Sequence, residues 1–495
     1  MDLSDLIERN AAFTPGRTAL RFEGRTLSYA DFAARIAAVA RGLHAGCGLR
    51  RGDRVALLAA NHVDYLVLLF ACARLGALLV PLNWRLAVPE LAFMLRDSTP
   101  SVLFAGTEFA ATMAALQVHF PQMPMLPLES GLCALAASAD GDGRSPHVDW
   151  ESPLLICYTS GTTGRPKGAV LTHAALAANA AMSHHMHAMT SADHVLTVLP
   201  LFHVGGLNIQ TTPALLCGAS VTLHARFSPD ATLDALEQER PSLTVLVPAT
   251  IQALIAHPRF ASANLSCLRA VATGSQIVPQ PLVDALEARG VPVLQVYGAT
   301  ETCPVAVYTR LGGDRSRWGS TGLPGLLCEA RIVDEAGAEM PPGTPGEVAV
   351  RGPNVLREYW GNAAATAEAL HDGWYRTGDI GTRDADGYFL IHDRKKNLII
   401  SGGENIYPAE IERVLGTHPA VADAAVIGRP DPRWQEVPVA YVIPRDGLTV
   451  DASALRAYLE GQLARFKMPR EIVFVDTLPR TALGKVQHYL LRKAR

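Results

Sequence analysis

The segment Tyr158-Thr159-Ser160-Gly161-Thr162-Thr163-Gly164-Arg165-Pro166-Lys167-Gly168 constrains this chain more than any other stretch. It follows the apolar run Leu154-Leu155-Ile156-Cys157, so it reads as a loop leaving a buried strand. Glycines let the backbone approach an anion closely and turn N–H groups toward it. The hydroxyls of Thr159, Ser160, Thr162 and Thr163 add donors, and Lys167 adds a point charge. These are the parts of a loop that holds phosphate. It is not a Walker A loop: Arg165-Pro166 separates Gly164 from Lys167, and Gly168 follows where Ser or Thr would be needed.

With 495 residues the chain exceeds what one core usually supports, so two or more domains are expected. The net charge of −3 gives no broad electrostatic footprint for nucleic acid or an anionic membrane. Cys47, Cys72, Cys133, Cys157, Cys217, Cys267, Cys303 and Cys328 are scattered without a CxxC pair. Buried free thiols in a reducing compartment are expected. The start, Met1-Asp2-Leu3-Ser4-Asp5, lacks the basic lead and apolar core of a signal peptide. The longest apolar run, residues 65–82, is interrupted by Arg74 and Gly76. It reads as a buried helix feeding a strand, not a membrane span. A soluble cytoplasmic protein is the expectation.

Residues 54–59, 77–81 and 101–105 read as strands around a helix over 63–75. Further strands are expected at 195–199, 220–223, 243–247, 270–273 and 293–296, and residues 136–146 read as an exposed loop. The alternation argues for an α/β fold, with parallel sheets covered by helices. From about residue 315, short runs such as 330–333 and 346–350, and the turn Asp386-Gly387, point to antiparallel strands. The last hundred residues read as a small α+β unit. It has helices over 408–415 and 453–463, the latter capped by Ser453, and strands over 421–427 and 439–443.

Four more segments follow the loop: Tyr297-Gly298-Ala299-Thr300-Glu301, Trp374-Tyr375-Arg376-Thr377-Gly378-Asp379, Asp393-Arg394-Lys395-Lys396 and Pro479-Arg480-Thr481-Ala482-Leu483-Gly484-Lys485. Together they resemble, in order, the signature of the adenylate-forming superfamily: acyl-CoA synthetases, adenylation domains and luciferases. The resemblance covers essentially the whole chain. It is strongest to fatty-acyl, benzoate-type and cinnamate-type CoA ligases, through residues 400–408 and Trp434. It implies a large N-terminal domain (1–394) with parallel-rich sheets and a small β-barrel-like part. A mobile C-terminal α+β lid (395–495) would follow, with its hinge at Lys396.

The resemblance also assigns roles. Thr159, Ser160, Gly161, Thr162, Thr163, Gly164 and Lys167 would embrace the β- and γ-phosphates of ATP. Glu301 would hold Mg²⁺, as a hard cation suits a carboxylate beside phosphate. Tyr297, with Gly298 after it, would stack on adenine, and Thr300 would lie near the α-phosphate. Gly274-Ser275-Gln276 aligns with the adenine-side turn but departs from its usual forms, leaving Gln276 open. Asp379 would bind ribose, with Arg394 as partner. Lys485 would be the catalytic lysine. Ser401, Gly402 and Gly403 would line a tunnel for the pantetheine arm of coenzyme A, and Trp434 reads equally as a CoA-stacking or a core residue.

His203, in Pro200-Leu201-Phe202-His203, matches a gate at the acyl site and reads equally as a packed core histidine. Val204, Gly205 and Asn208 would form one wall of the acyl pocket, with Ala299, Cys303, Pro304 and Val305 opposite. None of these is cationic, so a second substrate carboxylate would lack a partner, and an apolar fatty or aryl monocarboxylate is favoured. The cluster Ser183-His184-His185-Met186-His187 looks like a metal site, but no acidic or cysteine partner lies nearby in sequence. It reads as packing or helix-surface histidines.

The expected function is therefore an ATP-dependent carboxylate–CoA ligase that forms acyl-AMP and then acyl-CoA, as a monomer or homodimer. A standalone adenylating enzyme that loads a carrier protein shares the first step. A catalytically silent binding protein on the same fold is the alternative of a different class. Glu301, Asp379, Arg394 and Lys485 argue against it. A luciferase-like oxygenase is a remote third.

Overall fold

The fold is that of a computed structural model. The structure describes residues 1–137, 143–159, 166–275, 278–314, 319–401, 404–460, 462–463, 465–481 and 484–493. Among these, four sheets form.

The seven-stranded sheet holds the strand Arg54–Leu58 between Leu78–Pro81 and Val102–Ala105, all parallel. The helix Val63–Leu75 crosses between the first two, and twelve of its thirteen residues are buried. A helix apolar on all sides has no water-facing stripe and belongs inside a layered fold. Gly76 ends it in left-handed conformation (φ +71°), where a Cβ would be strained. The same sheet continues into the antiparallel hairpin Pro153–Thr159 and Lys167–Thr172.

The nine-stranded sheet carries the parallel strands His194–Thr197, Leu243–Leu246, Ala270–Gly274 and Val293–Tyr297 at its centre. Their C-terminal ends lead into the segments singled out in the sequence, as parallel sheets commonly present ligands at that edge. A five-stranded antiparallel sheet, from Glu329–Val333 to Phe389–Arg394, follows. Gly387 (φ +89°) serves the turn between its strands Trp374–Arg383 and Phe389–Arg394.

The fourth sheet draws only on residues after 398 and has its own buried core, including Ile399, Ile411, Leu415, Val426 and Leu455. The large N-terminal and small C-terminal parts of the expected α/β fold are therefore both present. Several strand ends shift by a few residues, as where the strands expected over 421–427 and 439–443 extend to Val421–Asp431 and Gln435–Pro444. The helix expected over 453–463 spans Ala452–Leu459, and its start is set by Asp451, which caps it by accepting from the Ala454 N–H at 2.8 Å. Ser453 lies inside it. The expected loop over 136–146 loses its first two residues to the helix Leu128–Ala137, and residues 138–142 lie outside the described residues.

Candidate active site

The phosphate loop joins two strands of one hairpin, with Thr159 opposite Lys167. Ser160, Gly161, Thr162, Thr163 and Gly164 lie outside the described residues. At the base of the hairpin, Thr159 Oγ1 donates to Glu301 Oε1 at 3.3 Å. Tyr359 donates its hydroxyl to the same oxygen at 2.9 Å. The Lys167 ammonium lies 5.2 Å from the centroid of the Tyr359 ring. Thr159 thus meets the expected metal-holding acid directly, and Lys167 lies against the tyrosine that bonds it.

Glu301 sits on a single tight turn, Thr300–Thr302, at the end of the strand Val293–Tyr297. Cys303 closes the turn with a left-handed backbone (φ +71°), uncommon for a residue with a Cβ. Ser275, after the strand Ala270–Gly274, does the same (φ +72°). Such conformations concentrate where a site over-determines its backbone. Gly298 allows no side chain at all, since a Cβ there would lie 1.6 Å from the Pro304 carbonyl oxygen. Gly274 is similarly tight against the Val296 carbonyl, at 2.2 Å. Gln276 lies outside the described residues.

The expected ribose end is assembled from the antiparallel sheet. Asp379 Oδ1 pairs with Arg394 Nε at 2.6 Å, and Asp379 Oδ2 accepts from the Tyr297 hydroxyl at 2.8 Å. The Asp379 charge raises the Arg394 pKa further, and burial raises that of the Tyr297 phenol. Both therefore act as donors at any working pH. The turn carrying Asp379 is fixed from below. Glu347 accepts from the Gly378 N–H at 3.0 Å and from Arg376 at 2.9 Å, and Thr377 Oγ1 accepts from the Asp379 N–H at 3.1 Å.

His203 caps the helical segment that follows it, Nδ1 accepting from the Gly205 N–H at 3.0 Å. In the neutral ring this leaves the proton on Nε2. Burial, and then the positive charge of Lys485, lower its pKa to about 3. Lys485, from the C-terminal part, is thus close enough to act on His203 electrostatically. The adjoining Gly484 is close-packed: a Cβ there would meet the Ala249 Cβ at 3.3 Å. Ser401 pairs instead with Gln435 on the small sheet, beside a half-exposed Trp434 that stacks on Arg433. Neither is brought to Asp379 or Glu301. Gly402, Gly403 and the Lys396 side chain lie outside the described residues.

The two expected pocket walls do meet. Asn208 Nδ2 donates to Cys303 Sγ at 3.5 Å. Val204, Asn208, Cys303 and Val305 are buried, and Gly205, Ala299 and Pro304 lie beside them in sequence. Asn208 belongs to a π-helical turn, Leu207–Thr211, set between Val204–Gly206 and Thr212–Leu216. π-turns recur at functional sites and disturb the regular carbonyl pairing. The carbonyls find partners on the helix His173–His187. Asn179 donates to Asn208 O at 2.6 Å, Ser183 to Ile209 O at 2.5 Å and His184 to Pro213 O at 2.8 Å. Asn179 Oδ1 also accepts from Val305 N–H at 2.9 Å, so one buried amide ties both walls. The histidine cluster is accordingly packing, and no group of three or more metal-type ligands exists among the described residues.

Asn179, Glu347, Asn354 and Tyr359 were not anticipated from the sequence. Asn179, Ser183 and His187 are four apart in an alanine-rich stretch, and that polar stripe was the available signal. Nothing local marks Tyr359, whose partner Glu301 lies 58 residues away.

The AMP-binding enzyme family matches residues 7–360, and the AMP-binding enzyme C-terminal domain matches residues 410–485. Indoleacetate–CoA ligase of Aromatoleum aromaticum (strain DSM 19018 / LMG 30748 / EbN1) is 51% identical over 98% of this chain and 97% of that protein. Feruloyl-CoA synthase of an Amycolatopsis species is 44% identical over 97% and 96%. The crystal structure of ATP-bound MatB from Rhodopseudomonas palustris superposes with a TM-score of 0.92 at 33% identity, covering 100% of this chain and 99% of that one. With that fold, those motifs in order and both family matches, this chain belongs to the AMP-binding, adenylate-forming enzymes.

Proposed function

We propose that this protein is an AMP-forming acid–CoA ligase that activates an apolar monocarboxylic acid with an aromatic body. The observation that carries the reading is that Asp379 and Glu301, the latter bonded to Thr159, both act on Arg394, while Lys485 acts on His203. The relatives at 51% and 44% identity are named for indoleacetate and feruloyl substrates, which favours aryl over fatty acids. Among the residues assigned to the pocket, none is cationic.

The chemistry brings a carboxylate against the α-phosphorus of ATP. A carboxylate oxygen bonds to that phosphorus, the bond to the β-phosphate oxygen breaks, and pyrophosphate leaves. Both reactants are anions, so the site must supply positive charge where charge develops. Lys485 supplies it between the two, and Lys167 at the leaving phosphates. Asp379 accepts from the ribose hydroxyls. Glu301 fits Mg²⁺: it is buried, oxygen-only, and set beside a phosphate loop, as sites that share this ion with substrate phosphates require. When bound, the ion would neutralise charge on the departing phosphates. In the second step the thiol of CoA loses its proton, sulfur attacks the acyl carbonyl, and AMP leaves. Lys485 must withdraw before that attack, so the C-terminal part (395–495) turns about Lys396 and brings Ser401, Gly402 and Gly403 to the site. Eight cysteines without a disulfide suit a reducing compartment such as the cytoplasm.

The test is mass spectrometry of the purified protein with ATP, Mg²⁺ and a panel of indoleacetate, phenylacetate, cinnamate-type, benzoate-type and fatty acids, with and without CoA. Acyl-CoA from the aryl members, formed only with CoA and alongside AMP, is expected. Acyl-AMP that accumulates without thioester despite CoA would replace the reading with carrier-protein loading.

A further inference from the structure

Residues 354–360 run between two parts of the site that are distant in sequence. Asn354, fully buried, donates to the carbonyls of Thr302 at 3.0 Å and Val305 at 3.2 Å. The Leu356 N–H donates to the Glu301 carbonyl at 2.7 Å. Glu358 and Tyr359 then pair with Val170 and Ala169, and the Trp360 N–H donates to the Gly168 carbonyl at 2.7 Å. One short run is therefore bonded at its start to the Glu301 turn and at its end to the strand of Lys167.

Tyr359 stands where these meet. Its backbone is held by the strand pairing and its side chain is buried. A buried phenol so fixed is a stiff arm with one polar tip and one π-face. The tip donates to Glu301 Oε1, and the face receives the Lys167 ammonium. Without the ring, a lysine and a carboxylate at one end of the site would be free to close on each other. Such an ion pair would spend both charges before any nucleotide arrived.

We propose that Tyr359 is a positioning residue for the adenylation step. Its hydroxyl occupies Glu301 Oε1, leaving the second oxygen for the divalent cation that accompanies ATP, and its ring keeps the Lys167 ammonium available to phosphate. This rests on the reading of Glu301 as the cation-holding acid.

Calorimetric titration with ATP, once with Mn²⁺ and once with EDTA, separates the two roles. The ratio of the two affinities reports the metal's share. Tyr359→Phe keeps the ring and loses only the hydroxyl, so the ratio should fall by about tenfold while affinity in EDTA stays unchanged. Tyr359→Leu loses both, so affinity in EDTA should fall as well. If Tyr359→Phe leaves the ratio intact, or lowers both affinities equally, the role is overturned. Glu301→Gln tells which idea has failed. If it also leaves the ratio intact, Glu301 does not hold the cation; if it alone lowers the ratio, only the Tyr359 role is lost. Should Tyr359→Phe fail to fold, Tyr359→His, which retains a donor, is compared with Tyr359→Leu, and an equal ratio in the two overturns the role.

Discussion

Lys485 shows how one residue's place decides its chemistry. A lysine ten residues from the end of a chain is ordinarily a solvated charge. Here its charge is felt by His203, whose ring is kept neutral with Nδ1 already engaged by Gly205. The cation therefore acts on a neutral ring rather than on a second cation. Lys485→Ala should lower acyl-adenylate formation by about 10²–10³-fold, the usual cost of removing one preorganised charge donor. Thioester formation from supplied acyl-AMP should be nearly unchanged, because the proposed second step takes place after Lys485 has withdrawn. Measuring the half-reactions separately checks this, and an equal loss in both would remove the assigned role. At this scale the sequence was readable where a residue sits inside a motif. Glu301, Asp379, Arg394 and Lys485 were placed by their neighbours in the chain. Tyr359 and Asn354 were not, since their partners are tertiary and their own flanks carry no pattern.

At the scale of elements, the proposed acyl pocket depends on a helix that is not regular. The π-turn Leu207–Thr211 shifts the carbonyls of Asn208 and Ile209 out of the helical ladder, and the helix His173–His187 supplies side chains to meet them. Asn179 bonds both walls, so Asn179→Ala strands the Asn208 carbonyl and the Val305 N–H in a dry interior. The cost should be about 2–6 kcal/mol, from two buried groups at roughly 1–3 kcal/mol each. Chemical denaturation should show it, together with a raised KM for the acid and little change in KM for ATP. A variant as stable as the parent with unaltered KM would detach Asn179 from the pocket. Strands and helices with plain period were legible: Val63–Leu75 stands as expected because nothing tertiary competes with its pattern. The π-turn was not, because its extra residue per turn leaves no mark on hydrophobic spacing. The start of the helix Ala452–Leu459 was misplaced because Asp451 and Ser453 are both good caps, and only the fold selects between them.

For the whole molecule, buried ionisable groups set the response to acid. His173 and His187 are buried and neutral, and burial lowers each from 6.5 to about 4. Between those values the unfolded chain binds protons that the folded one refuses, so stability rises with pH across that window and is lost as pH falls through it. Asp2, Asp64 and Asp393, raised above 3.8 by burial, oppose this. The free energy of unfolding should fall as pH is lowered from 6.5 toward 4. His187→Gln should flatten that slope by up to about 1.4 kcal/mol per pH unit, one proton's worth. A slope unchanged by the substitution would mean that His187 is not held neutral.

The same scale governs the exchange of half-reactions. Asp393 ties the two parts of the chain together. Its Oδ1 accepts from Arg394 N–H and Asn397 Nδ2 at 2.6 and 3.0 Å, and its Oδ2 from the Ala409 N–H at 3.0 Å. Arg394 reaches back to Asp379, and Lys395 lies 3.8 Å from Glu347, so the chain is held to the nucleotide side up to residue 395. After residue 398 it belongs to the small sheet. The proposed rotation that withdraws Lys485 would therefore be absorbed by a few backbone torsions around Lys396. Proline there fixes φ near about −65° and restricts Lys395 as well. Lys396→Pro should accordingly leave acyl-AMP formation within a few-fold of the parent and slow thioester formation by tenfold or more. Single-turnover kinetics from preformed acyl-AMP measures the second step alone. Equal rates in parent and variant for both steps would move the hinge away from this residue, and equal slowing of both would mean that the proline disturbs the Asp379–Arg394 pair instead.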